Sequence, residues 1–264
     1  GYISRLNPDS KIIVNADCKG NQELLQRINH KGVILYSCNE DSSAAYKLKN
    51  IQMNGFNSSA DVYFNDKLIG QLKLSIPGIH NLSNALAALV ASLECGVEFS
   101  KAAEALYNFS GMKRRFQIIG ETGGIKVVDD YAHHPTEVVA TLNSARNIVH
   151  AGLAERVVVV FQPHRYTRLS SLWNDFISSF GGADVLYVCD VYSAGEKEIS
   201  GYNAKSFTEA VKHNNAHYVH GGIEQIADGI CSNLKAGDIV LTMGAGNITK
   251  LGSILLEKLG YYRK

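Results

Sequence analysis

The second half of the chain alternates short apolar segments with amphipathic segments, and this alternation constrains the fold more than any other feature. From about Met112 onward, each apolar segment has the length of a strand, and the segments between them have the periodicity of helices. Segments such as "RVVVVF" lack polar alternation, which is typical of strands buried on both faces. The pattern predicts an α/β domain with a doubly wound, mostly parallel, Rossmann-like sheet.

The first half predicts a second α/β region. "KIIVNAD" and "GVILYS" are expected to be strands, with the helix "NQELLQRI" between them. "ADVYFNDKLIGQLKLSIPG" alternates around Asn65-Asp66-Lys67 and predicts a hairpin, and two helices, "HNLSNALAALVASLECG" and "SKAAEALYNF", follow it. A chain of 264 residues accommodates two domains at ~150 residues each. We place them at 1–111 and 112–264.

Composition excludes several classes of partner. The net charge of +1 predicts neither a nucleic-acid-binding face nor a membrane-binding face. No apolar stretch reaches the ~20 residues that span a bilayer. The five cysteines are scattered, odd in number and without a CxxC pair, which favours a reducing, cytoplasmic location. The sequence leaves the oligomeric state open.

Polar and charged residues follow the predicted strands of the second half. "DDYAHHP" follows the first strand, "QPHRYTR" the second, "CDVYSAGE" the third and "MGAGN" the last. Ligands of open parallel sheets bind beyond the carboxyl ends of the strands. These segments are therefore expected to form one crevice.

Within "DDYAHHP", three side chains are candidates for ligand binding. The Asp130 carboxylate suits ribose hydroxyls or a metal, and His133 and His134 suit cationic donors or neutral ligands. Adjacent side chains diverge, so the two histidines are not expected to bind one metal. The alternative for His134 is that it only caps the helix that Pro135 opens.

Arginines and amides supply further candidates. The guanidinium groups of Arg165 and Arg168 suit carboxylates or phosphates, and a solvated basic turn is the alternative. Asn81 and Asn84 at the start of a helix suit an adenine edge, and a helix cap is the alternative for Asn81. "GMKRRF", at the expected boundary between the domains, adds three cations that can face phosphates, Lys113, Arg114 and Arg115.

"GAGN" resembles part of a dinucleotide fingerprint. Thr249 stands where the third glycine is required, and no acidic residue follows at the expected distance. A tight turn that lets the backbone approach a ligand, or a strand–helix junction, is favoured over a nicotinamide site.

Taken together, five motifs in order resemble the Mur ligases. They are "GIHNLSNALAA", "GMKRRF", "VVDDYAHHPTEV", "FQPHRYTR" and "DIVLTMGAGNI", and the match runs from about Ile76 to the C-terminus. The resemblance implies that ATP and Mg²⁺ activate a carboxylate as an acyl phosphate, which the amine of an amino acid then attacks. The forms of the histidine and arginine motifs indicate the branch that joins L-alanine to UDP-N-acetylmuramate in peptidoglycan precursor synthesis. The branch that reattaches a recycled tripeptide is the alternative.

The resemblance also implies roles for individual residues. The residues expected to contact ATP are His80, Asn81, Asn84, Arg115 and Asp130. The residues expected to line the amino-acid pocket are His133, His134, Arg165 and Arg168, with Tyr131 shaping it.

One departure from the family is evident. The phosphate-binding sequence GxxxxGK[ST] does not occur, nor do the Glu and His that ligate the metal in the family. We therefore expect residues 1–111 to be the truncated rear part of a central α/β ATPase domain, with the metal ligands in an upstream part. Residues 112–264 are expected to be the C-terminal domain, and the chain to be a fragment that is inactive alone. A non-catalytic module that binds a nucleotide or an amino acid is the alternative.

Overall fold

The computed structural model describes residues 3–28 and 30–262, and the chain divides into two compact units, Gly1–Ser110 and Gly111–Lys264. Within the described residues, no helix is both long and apolar enough to cross a membrane. Each unit contains its own sheet.

Unit 1 has a five-stranded sheet in the order β1-β2-β3-β4-β5. The first three strands are parallel, and β3, β4 and β5 are antiparallel neighbours. A short 3-10 helix, Ile3–Arg5, precedes the sheet. The elements are β1 (Ile12–Asn15), α1 (Lys19–Leu25), β2 (Val33–Ser37), β3 (Tyr46–Asn54), β4 (Asn57–Phe64), β5 (Lys67–Leu74), α2 (Ile79–Glu94) and α3 (Phe99–Tyr107).

The predicted hairpin joins β4 to β5. Asn65 and Asp66 have φ of 46° and 62°, so both central turn residues are left-handed, as the favoured two-residue hairpin turn requires. Strand β3 was not predicted. Its register with β4 shifts between Lys49 and Gln52, and Asn50 adopts a φ of 52° there, so the strand lacks a continuous apolar alternation.

The core of unit 1 lies between the sheet and α2. Residues of α2 spaced at three and four positions pack against β1, β2 and β4, which is the pattern of an amphipathic helix. Each fully buried leucine stabilises the unit by roughly 1.5–3 kcal/mol. The buried residues of α2 are Leu82, Ala85, Leu86, Leu89 and Val90.

Unit 2 has a six-stranded sheet in the order β10-β9-β8-β11-β7-β6, parallel except for β6, which is antiparallel to β7. The prediction of a mostly parallel, doubly wound sheet is confirmed. The antiparallel edge strand β6 was not predicted. The elements are β6 (Gln117–Thr122), β7 (Ile125–Asp130), α4 (Pro135–His150), β8 (Arg156–Phe161), α5 (Tyr166–Ser171), α6 (Trp173–Phe176), β9 (Val185–Cys189), α7 (Ala204–Ala210), β10 (Ala216–Val219), α8 (Ile223–Cys231), β11 (Asp238–Met243), a 3-10 helix Asn247–Lys250 and α9 (Leu251–Tyr262).

The prediction of one helix over "LSSLWNDFISSF" was wrong. Leu172, with φ −114° and ψ 23°, leaves the helical conformation and separates α5 from α6. The break lets Phe176 turn into the core, where its ring lies 5.8 Å from that of Phe161. The Phe161 ring also lies 5.0 Å from that of Phe180 and 6.3 Å from that of Phe207, so four phenylalanines form an aromatic cluster.

The strand register brings three loops to one edge of the sheet. Met243, the last residue of β11, pairs with Asp130 at the end of β7 and with Phe161 at the end of β8. The three strands therefore end level. At the opposite end, Arg156 binds the buried carboxylate of Asp238 through two nitrogens at 2.8 and 2.7 Å, which links β8 to β11.

Candidate functional site

The two aspartates at the end of β7 hold the loops around them. Asp129 accepts hydrogen bonds from the hydroxyls of Thr242 and Thr249 at 2.8 and 2.7 Å. Asp130 accepts from the backbone N–H groups of Phe116 and Ala132, both at 2.7 Å, and only 4% of it is exposed. Burial raises the pKa of Asp130. The carboxylate predicted to contact ATP therefore lies inside the protein and fixes the segment that carries the arginines.

That segment contains a partly buried arginine beside an exposed one. Arg114 has a φ of 61°, and its Nη2 donates to the carbonyl of Gly244 at 2.5 Å. Its guanidinium carbon lies 4.6 Å from the centre of the Tyr131 ring. Arg115 is half exposed, and its Nη1 lies 3.7 Å from Oε1 of Glu137. Arg115, like the exposed Lys113, thus presents its cation to solvent.

His133 is held by its own backbone turn. Its Nδ1 lies 2.8 Å from the carbonyl oxygen of Tyr131 and 3.3 Å from Oε2 of Glu137. Its backbone N–H donates to the same Glu137 oxygen at 3.0 Å. The Tyr131 ring meets the imidazole edge-on at 4.9 Å. Glu137 lies in the first turn of α4, where carboxylates are favourable.

His134 has a different environment. It is the residue that precedes α4, and its Nδ1 lies 3.0 Å from the hydroxyl of Thr136. The position matches the helix-cap alternative, although its side chain makes no capping bond to the helix backbone. The structure does not bring its imidazole to the partners of His133.

The loop after β8 contributes a histidine that the sequence analysis did not select. Nη1 of Arg168 lies 3.1 Å from Nδ1 of His164, one helical turn away. The ring of His164 stacks on Tyr192 at 5.4 Å and lies 6.2 Å from the ring of His133. Burial, followed by the charges of Arg168 and His133, lowers the pKa of His164.

Arg165 is held by the loop after β9. Its Nη1 lies 3.3 Å from Oε1 of Glu196, which also accepts the Thr167 hydroxyl at 2.8 Å. The backbone N–H of Arg165 donates to the carbonyl of Tyr192 at 2.9 Å. Arg165 is therefore already paired, whereas Arg168 contacts only a neutral partner, the imidazole and carbonyl of His164, among its described hydrogen bonds.

The turn after β11 closes against the same loops. A Cβ added at Gly246 would lie 2.7 Å from Cγ of Tyr192 and 2.4 Å from Oε1 of Gln162. Oε1 of Gln162 accepts from the backbone N–H of Ile248 at 3.2 Å. Only a glycine fits this approach without a shift. "GAGN" is thus a strand–helix junction, as favoured above.

The structure therefore brings together three residues of the predicted amino-acid pocket, Tyr131, His133 and Arg168, with His164 between His133 and Arg168. The additional residues are His164, Tyr192, Glu196 and Glu137. His164 and Glu137 stand inside the motifs quoted above, and their spacing of four from Arg168 and His133 is a helical signal that could have identified them.

The predicted adenine residues lie on α2 in unit 1. Asn81 and Asn84 are three residues apart, so they share a helix face. Nδ2 of Asn81 donates to the carbonyl of Pro77 at 2.7 Å, whereas Asn84 is exposed. His80, one position earlier, is half-buried. A cavity of about 690 Å³ near the start of α2 is lined by residues that include Asp17, Cys38 and Ile79, and not by either asparagine.

Across the described residues, no group of three or more His, Cys, Asp or Glu side chains is arranged to hold a metal. The guanidinium groups of Arg115 and Arg168 suit anions, and the imidazoles of His133 and His164 suit proton transfer.

Comparison with known proteins identifies both units. Residues 2–92 match the Mur ligase middle domain, and residues 114–246 match the Mur ligase, glutamate ligase domain. A UDP-N-acetylmuramate–L-alanine ligase from Pelotomaculum thermopropionicum is 44% identical over 222 residues, which is 83% of this chain and 47% of that protein. The chain spans about half the length of the curated relatives it matches.

Solved structures of Mur ligases are also similar to this chain. The UDP-N-acetylmuramate–alanine ligase from Thermotoga maritima has a TM-score of 0.71 at 26% identity and covers 88% of this chain and 53% of its own. A murein peptide ligase from Psychrobacter arcticus has a TM-score of 0.64 at 26% identity, with 98% and 53% covered. MurF ligase from Thermotoga maritima, solved with ADP, shares the fold at 18% identity, with a TM-score of 0.67 and 97% and 55% covered. The chain belongs to the Mur ligase family.

Proposed function

We propose that this chain is part of an ATP-dependent ligase that joins L-alanine to the carboxylate of UDP-N-acetylmuramate in peptidoglycan precursor synthesis. The observation that carries the proposal is the cluster of Tyr131, His133, His164 and Arg168 at one edge of the unit 2 sheet. Similarity to UDP-N-acetylmuramate–L-alanine ligases supports it.

The cluster suits an amino acid in its zwitterionic form. Arg168 offers a guanidinium fork for the carboxylate, because its described partners are neutral. The neutral imidazole of His164 can donate a second hydrogen bond to the carboxylate through Nε2. Tyr131 and His133 lie across from this pair. Arg165 acts by fixing the loop through Glu196, and His134 borders the pocket from the start of α4.

ATP is the proposed second ligand. Residues 1–111 are proposed as the remnant of the ATP-binding domain, where the adenine is assigned to Asn81 and Asn84 with His80 beside them. Residues 112–264 are proposed as the C-terminal domain, where Arg115 is assigned to a phosphate of ATP. Asp130 positions Arg115, because its carboxylate holds the backbone N–H of Phe116. Mg²⁺ would accompany the phosphates, and its protein ligands are assigned outside the described residues, because these contain no suitable cluster.

The proposal includes a cytoplasmic setting, which agrees with five free cysteines.

The proposal also includes the expectation that residues 1–264 do not complete the reaction alone. Isothermal titration calorimetry of this chain with ATP and with L-alanine separates this idea from a binding module. Tight binding of either ligand without turnover would favour the module.

A ligase that reattaches a recycled tripeptide is the second candidate. The structures of the murein peptide ligase and of the alanine ligase have the same sequence identity to this chain, 26%. The test is a ligation assay with the longest reading frame that contains this sequence. ATP and UDP-N-acetylmuramate are supplied with either L-alanine or L-alanyl-γ-D-glutamyl-diaminopimelate, and products are identified by mass. We expect the alanine amide; only the tripeptide product would establish the alternative, and neither product would reject both.

A further inference from the structure

Glu137 joins the two proposed parts of the site. Its Oε1 lies 3.7 Å from Nη1 of Arg115, which is assigned to the nucleotide. Its Oε2 lies 3.3 Å from Nδ1 of His133, in the proposed amino-acid pocket, and accepts the backbone N–H of His133 at 3.0 Å. Glu137 is itself about one-third exposed, so it acts from the rim of the crevice.

The contacts of His133 fix the tautomer of its neutral ring. Nδ1 faces a carbonyl oxygen, that of Tyr131 at 2.8 Å, and the Glu137 carboxylate. A backbone carbonyl only accepts hydrogen bonds, so Nδ1 carries a proton whether the ring is neutral or charged. Nε2 is therefore the lone-pair nitrogen of the neutral ring and the atom that can take up a proton.

His164 has the opposite arrangement. Arg168 has no lone pair to offer, so Nδ1 of His164 accepts from it and the proton of the neutral ring is on Nε2. The two rings lie 6.2 Å apart. One imidazole is thus set to accept a proton and the other to donate a hydrogen bond. The charged groups around His133 are Glu137 and, beyond it, Arg115, with His164 and Arg168 across the crevice.

We propose that Nε2 of His133 removes a proton from the ammonium group of the incoming amino acid, and that Glu137 is the positioning residue for this step. The inference rests on the proposed function. The ammonium N–H bond breaks and its proton goes to Nε2, which leaves a lone pair on the amine. That lone pair forms the C–N bond with the acyl phosphate carbon, and the C–O bond to phosphate breaks, so phosphate leaves with the electron pair. The amide nitrogen loses its second proton to the departing phosphate. Glu137 stabilises the imidazolium that forms.

The test uses the protein encoded by the longest reading frame that contains this sequence. It compares two nucleophiles that accept the acyl group, L-alanine and hydroxylamine. L-alanine is protonated at neutral pH and needs a proton acceptor, whereas hydroxylamine is largely unprotonated and attacks acyl phosphates directly. We expect His133→Gln to lower the rate with L-alanine by roughly 10²–10⁴-fold, and to leave hydroxamate formation close to that of the wild type. His150→Gln, at the exposed end of α4, should change neither rate.

Glu137 provides a second, independent variant. Glu137→Gln should lower alanine transfer and spare hydroxamate formation, and Glu137→Asp should restore part of the loss. An equal fall of both reactions in His133→Gln and Glu137→Gln, or no change in either, would overturn the inference. Hydroxamate without alanine amide in the wild type would also count against it. Absence of both products from the wild type would overturn the proposed function, and this inference with it.

Discussion

The carboxylate of Asp130 accepts a hydrogen bond from the backbone N–H of Phe116 at 2.7 Å, across fourteen residues of sequence. Phe116 is buried and has a φ of 48°, a conformation that non-glycine residues rarely adopt. The last residue of β7 therefore holds a strained backbone in place, and with it the arginine segment that we assign to the nucleotide.

Replacement of Asp130 by asparagine should destabilise the protein. The amide has one acceptor oxygen in place of two, and its NH₂ would face a backbone donor. Loss of one such bond to a charged group costs about 1.5–3 kcal/mol. Urea denaturation should show the loss, and hydrogen exchange should show faster exchange at the Phe116 amide. Asp175→Asn, at an exposed site, should change neither. Equal stability of the two variants would contradict this role for Asp130.

His164 should make the protein less stable in mild acid. Its pKa is lowered from 6.5 in the folded protein, so the unfolded chain binds more protons as the pH falls below this value. Stability then rises with pH through this window and is lost on acidification. His164→Gln should therefore flatten the fall of Tm measured between about pH 7 and about pH 5. A fall as steep as that of the wild type would show that His164 is not linked to folding; His150→Gln is the control.

The buried pair of Arg156 and Asp238 should be costly to break. Asp238 is 1% exposed and accepts from two nitrogens of the guanidinium. Asp238→Ala leaves a partly buried cation unpaired and should cost about 3–5 kcal/mol. The double variant with Arg156→Ala should lose less than the sum of the single losses. Strictly additive losses, measured by chemical denaturation, would argue against a coupled pair.

Gly246→Ala should disturb the proposed amino-acid pocket. The added Cβ would lie 2.7 Å from the ring of Tyr192, which stacks on His164. We expect a higher KM for L-alanine, because Tyr192 must move. Gly229→Ala is a matched control within α8, where the added Cβ would lie 3.8 Å from Val219 and alanine favours the helix. The same KM in both variants would contradict the role of Tyr192.

The sequence predicted the continuous apolar strands better than the interrupted ones. Strand β8 is buried throughout its last five residues, and its pattern is unambiguous. Strand β3 contains a bulge at Asn50, and the edge strand β6 carries a glycine and a register shift, so neither shows a simple period. The motifs located the candidate site, because they follow strands that end level.

The sequence could not predict which carboxylates turn inward and which partners they bind. Asp130 is turned inward because the chain folds back at Arg114 and Phe116, both with positive φ. That conformation is maintained by long-range contacts, among them the bond from Arg114 to Gly244. The pairing of Arg165 with Glu196 likewise depends on a loop that begins after another strand. Glu137 and His133, four residues apart, are the case in which spacing alone could have indicated the contact.

The most direct test of the central claim compares two arginines at this edge of the sheet. Arg168→Ala and Arg115→Ala are made in the longest reading frame that contains this sequence, and KM is measured for L-alanine and for ATP. We expect Arg168→Ala to raise the KM for L-alanine by about tenfold or more, with little effect on ATP, since a charge-assisted pair contributes about 1.5–3 kcal/mol. Arg115→Ala should show the converse. Reversed effects, or equal effects on both substrates in both variants, would contradict this division of the site.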